Sequence, residues 1–125
     1  MPSLEITEFL SYIEQLTVAT RSGSVEWTRV NPTTFTWDTI KPTPARLSLQ
    51  RVDRRDRVVK AGRPMVITSK HYVFQAVDPE EGLQKLSISG ADDPDVNQKL
   101  EALYDAISSG LSRKGLDFLK SLLPS

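Results

Sequence analysis

The chain contains no cysteine. Disulfide staples, thiolate nucleophiles, zinc ribbons and iron–sulfur ligation are therefore excluded. Its single histidine is His71. A Ser-His-Asp or Cys-His arrangement needs the histidine beside a nucleophile that its neighbours orient. No glycine-framed serine is present to pair with it, so His71 reads as an edge or turn residue. Glycines are few and scattered. Gly62 and Gly90 stand alone, and neither Gly-rich phosphate-binding fingerprint occurs. No apolar run approaches the roughly 20 residues that span a bilayer. The N-terminal stretch MPSLEITEFL lacks a base and carries Glu5 and Glu8, unlike a secretory leader. The expected compartment is the cytoplasm.

What is present describes a folded domain. At 125 residues the chain is expected to form one domain, residues 1–125, burying roughly two-thirds of its unfolded surface without metal or disulfide. Sixteen bases balance sixteen acids, but the charges are segregated. Residues 1–20 hold three acids and no base. Residues 46–63 hold seven bases against Asp53 and Asp56. Residues 78–105 hold eight acids against Lys85 and Lys99.

Hydrophobic period divides the chain in three. Ile6, Phe9, Leu10, Ile13, Leu16 and Thr20 recur at helical spacing and predict a helix over 4–19, with Ser3 as N-cap and Gly23 as breaker. Residues 24–89 change to a period of two. Val25 and Trp27, Phe35 and Trp37, Leu47 and Leu49, and Tyr72 and Phe74 alternate with polar residues, and NP at 31–32, KPTP at 41–44 and DPEEG at 78–82 break the runs. Asp93 and Pro94 then open a helix over 94–109. Val96, Leu100, Leu103, Tyr104 and Ile107 form its stripe, and Gly110 closes it. A short helix over about 113–123 follows, carrying Leu116, Leu119, Leu122 and Leu123. The expected architecture is α+β: an antiparallel β-meander of five or six strands with N- and C-terminal helices packed on one face. Trp27 and Trp37 are assigned to the covered face or its rim.

Three pieces together carry a resemblance: an apolar first helix ending in TRSGSVEW, a run of short strands, and LYDAISSGLSRKGLDFLKSLL at the end. This layout resembles small uncharacterised bacterial α+β proteins. Its shared positions, Trp27, Leu103, Tyr104, Leu119 and Leu122, are packing positions. The resemblance implies the fold class and a bacterial origin, and it brings no activity, ligand or catalytic residue.

Carboxylates and basic residues remain as candidate chemistry. Asp92, Asp93 and Asp95 lack the spacing and terminal Glu of a calcium loop and serve as cap and dipole residues. Asp53 and Asp56 lie among arginines, which would lower their pKa values and unsuit them as general acids. No catalytic, cofactor or metal residue emerges. The most unusual surface is RVDRRDRVVKAGRP, 51–64, read as a charged hairpin with DRRD as its turn. Arg51, Arg54, Arg55, Arg57, Lys60 and Arg63 are the candidate partner-binding residues.

The leading expectation is a non-enzymatic protein-binding module, an accessory or regulatory component of a bacterial conflict or defence system. The alternative is a nucleic-acid-binding protein using the same hairpin, since clustered Arg and Lys bind phosphate. The third is an enzyme with an unrecognised carboxylate site. An exposed meander edge or the leucine stripe of the last helix offers a twofold interface for a homodimer. No cofactor is implied.

Overall fold

The computed structural model describes residues 4–39, 44–80, 82–91 and 93–124. The expected cap Ser3, residues 41–43 of the Pro-rich break and Asp92 lie outside the described residues. Helix α1 runs Leu4–Arg21. A meander of β1 (Thr28–Asn31), β2 (Thr34–Thr39), β3 (Ala45–Lys60), β4 (Arg63–Asp78) and β5 (Leu83–Ser89) follows, and helix α2 (Pro94–Ser121) ends the fold. The five strands pair in sequence order, every pair antiparallel. The α+β architecture read from hydrophobic period is the observed one.

The alternation in each strand decides which face is covered. Phe35, Leu47, Leu49, Tyr72 and Phe74 point to the helices and are buried. Phe9, Ile13 and Leu16 of α1, with Val96, Leu100, Leu103, Tyr104 and Ile107 of α2, close over them. Trp27 is buried and Trp37 packs against the core from a half-buried position; their rings lie 6.2 Å apart. Two buried threonines and the Trp27 indole in this layer are matched, as burial demands. Thr17 and Thr20 donate to the carbonyls of Ile13 and Leu16, and Trp27 Nε1 donates to Thr20 Oγ1 at 3.0 Å.

Element ends follow local chemistry. Gly23 sits at φ +83°, the left-handed conformation that ends a helix. Asn31 Oδ1 accepts from Thr33 N–H and shapes the β1–β2 turn. Asp93 Oδ1 accepts from the backbone N–H groups of Asp95 and Val96, with Pro94 at the first helical position.

Three expectations need correction. Leu119 and Leu122, read as packing positions, are 61% and 63% exposed and join no part of the core. The expected break at Gly110 and the separate helix over 113–123 are one continuous helix, α2, through Ser121. A single glycine costs a helix about 1 kcal/mol without ending it. Leu111 reaches back to the core, and ion pairs Lys114–Glu26 (3.1 Å) and Arg113–Asp117 (3.5 Å) support the next turn. Likewise, DRRD at 53–56 is no turn. Strand β3 continues through it to Lys60, and the chain reverses at Ala61–Gly62, both at positive φ (52° and 75°). That is the geometry a two-residue hairpin loop requires. The returning chain, from Arg63 through the Tyr72–Phe74 alternation to Asp78, is accordingly a single 16-residue strand, β4.

Candidate functional site

The β3–β4 pairing runs without interruption from Arg46↔Val77 to Lys60↔Arg63. Strand β2 stops pairing at Gln50, and β5 stops at Val73. Past the Arg51↔Tyr72 pair, where Thr33 and Gly90 still bond, the two strands pair only with each other. Counted from that pair, this ribbon is ten residue pairs long, about 30 Å at strand rise. Beyond its base it contributes no residue to the core.

Directly opposed residues share a face. The face continuing Leu49 and Tyr72 carries Arg51, Asp53, Arg55, Arg57 and Val59, opposed by Lys70, Thr68, Val66 and Pro64. The reverse face carries Val52, Arg54, Asp56, Val58 and Lys60, opposed by His71, Ser69, Ile67, Met65 and Arg63. The six candidate residues thus divide between two faces and along the length of the ribbon. Asp53 and Asp56 point to opposite sides, so they form no carboxylate pair.

Arg51 is the base of the ribbon. Its backbone N–H donates to the Thr33 carbonyl, and its guanidinium carbon lies 5.8 Å from the Tyr104 ring centre. Its Nε is buried 3.4 Å from Asp53 Oδ1, within ion-pair reach but off hydrogen-bonding geometry, so that nitrogen has no hydrogen-bond partner. Beside it, Tyr72 has its hydroxyl pKa pushed up to about 12 by burial, with Glu101 and Asp105 adding to the effect. Arg51 thus joins the aromatic layer to the ribbon. Arg54 is held by Asp56 at 3.1 Å on its own strand.

Arg55, Arg57, Lys60 and Arg63 are exposed and have no ion-pair partner among the described residues. Lys60 and Arg63 oppose each other next to the turn, a like-charge pair that disfavours the isolated hairpin. Lys70 joins this set and lay outside the sequence reading; counting register back along β4 would have found it. So would the exposed aliphatic side chains. Val59 is 75% exposed, Val66 61%, Met65 46% and Ile67 43%, and they alternate with the cations. His71 sits inside β4, half-buried on the reverse face opposite Val52.

Elsewhere the molecule has shallow clefts. One of about 220 Å³ lies between the end of α1, Val25–Trp27 and the middle of α2, rimmed by Arg21, Glu26 and Lys114. Another, about 240 Å³, lies at the ribbon base by Arg54, Lys70, His71 and Asn97. Among the described residues no three His, Asp or Glu side chains gather as metal ligands, and no helix is long and apolar enough to cross a membrane. Searches against protein families, curated proteins and solved structures found no match.

Proposed function

We propose that this protein is a binding module whose contact element is the β3–β4 ribbon, and that its partner is a protein with an acidic surface. One observation carries the reading. A ribbon about 30 Å long lies outside the core, yet keeps a regular register while leaving cations uncompensated. Folding alone supplies no reason to keep Lys60 opposite Arg63, and an acidic partner relieves that repulsion. The interleaved aliphatic side chains favour protein over phosphate, because protein interfaces enrich Arg and Met and cover apolar area. The stretch 78–105, with eight acids against two lysines, is a second contact candidate.

Nucleic acid is the second reading, favoured by shape, since a two-stranded ribbon fits the major groove. The two readings separate by experiment. Reversing Arg54, Arg55 and Arg57 to Glu is expected to abolish partner capture from a native lysate while the melting temperature stays within a few degrees. Unchanged capture overturns the ribbon as the contact element. Retention of DNA or RNA at low salt, falling steeply as salt rises, would favour the second reading over the first.

A further inference from the structure

The last third of α2 is a second projection. From Ser112 to Pro124 every residue is exposed. Leu116 and Leu119 follow at helical spacing with Phe118 alongside, and Leu122 and Leu123 continue the apolar surface past the helix end at Ser121. Phe118 is 64% exposed and Leu123 71%. The total surface, 9139 Å², exceeds the about 6,700 Å² expected of a compact 14.0 kDa monomer. The excess is about 2,400 Å² by that scaling. A stable interface needs about 1,200–2,000 Å².

A complementary surface lies on the same chain. Between the first turns of α1 and strand β5, a groove of about 410 Å³ has Ile6, Phe9, Tyr12, Leu86 and Ile88 as its walls, with Glu5 and Glu8 on its rim. Neither glutamate has an ion-pair partner among the described residues, and neither does Lys120 of the tail. The apolar faces match in character and the rims are opposite in sign. The tail cannot fill its own groove. It leaves the body beside Arg21 and Gly23 at the end of α1, and the groove is at the start of that helix, which is about 27 Å long.

We infer that a second copy of the chain supplies the occupant: the α2 tail of each copy docks in the α1–β5 groove of the other, making a closed twofold dimer. Because groove and tail lie at opposite ends of α1, two copies side by side and inverted bring each tail to its partner's groove. Both contacts form at once, and the assembly closes instead of growing into a filament. The ribbons stay outside the contact.

Light scattering coupled to gel filtration, on the full chain over a wide concentration range, tests this. The wild type is expected to have the mass of two chains. Leu119→Glu in the tail and Leu86→Glu in the groove, both exposed sites, are each expected to give monomers with unchanged circular dichroism and a melting temperature that, unlike the wild type's, does not depend on protein concentration. Glu5→Lys with Glu8→Lys is expected to weaken the dimer about tenfold or more, as loss of charge pairing at a desolvated rim does, and added Lys120→Glu to recover part of that loss. The Arg54, Arg55 and Arg57 reversals leave the dimer intact, so failure of this inference and failure of the ribbon reading are told apart. A wild type monomeric at every concentration overturns the inference. So does a dimer that survives either Glu substitution, a mass beyond two chains, or a charge exchange that recovers nothing.

Discussion

Single residues divide into those whose role follows from spacing and those whose role follows from a neighbour far along the chain. Leu103 and Tyr104 are of the first kind. Helical spacing marks them as core, and the structure buries Leu103 completely and Tyr104 almost so, its ring 5.0 Å from Phe35 and 5.2 Å from Tyr72. Leu103→Ala and Tyr104→Ala are each expected to cost about 2–5 kcal/mol in urea denaturation, and a loss below about 0.5 kcal/mol at both sites would contradict this packing. Gly90 is of the second kind. The sequence shows only an isolated glycine before the Asp93 cap. In the fold its backbone lies against α2, where an added Cβ would meet Asn97 Cα at 2.7 Å and Oδ1 at 2.4 Å. Asn97 has no freedom to move aside. Its Oδ1 accepts from Tyr72 N–H and its Nδ2 donates to the Lys70 carbonyl, fastening α2 to the ribbon base. Gly90→Ala is therefore expected to destabilise by about 1–3 kcal/mol, measured as a lowered denaturation midpoint.

At the scale of elements, period and capping were legible where both pointed the same way. The Asp93–Pro94 start of α2 and the alternation around Leu47–Leu49 and Tyr72–Phe74 were read correctly, because one buried face imposes each pattern. Of the misplaced boundaries, the one within β3 lies where no core enforces a pattern. In 53–60 both faces of β3 meet solvent, so charged residues on alternate sides look like a turn, and Ala61–Gly62 is a weaker turn signal than Asn-Gly. At Gly110 a breaker residue was outweighed by Leu111 packing on the core and by two ion pairs in the next turn. If α2 is continuous there, glycine is a local weakness and not a cap. A Cβ at Gly110 meets nothing within 4 Å. Gly110→Ala is expected to raise stability by about 0.5–1 kcal/mol and to increase helical circular dichroism slightly. A helix that truly ended there would lose stability instead.

Taken whole, the molecule is a compact layer with a projection at each of two ends. Helix α2 starts at the ribbon base, where Asn97 meets Lys70 and Tyr72, passes Glu26 at Lys114, and ends in exposed turns through Ser121. The candidate contact surface was legible as composition, six basic residues within 51–63. Its shape was not, because register and the returning strand decide which cations share a face and which aliphatic side chains stand between them. This division into body and projection has a direct consequence. Every buried hydrophobic residue lies outside 50–71, so the ribbon adds strand hydrogen bonds but no core. Replacing Arg54–Ser69 with Asn-Gly joins the directly opposed Asp53 and Lys70 through a two-residue turn suited to hairpins, and it keeps the Lys70 carbonyl that Asn97 binds. The shortened protein is expected to unfold cooperatively, with a melting temperature within a few degrees of the wild type and dispersed amide resonances, while losing capture of the partner. A molten shortened protein would show that the ribbon belongs to the folding unit, and its cations would then have to be explained by stability instead of by binding.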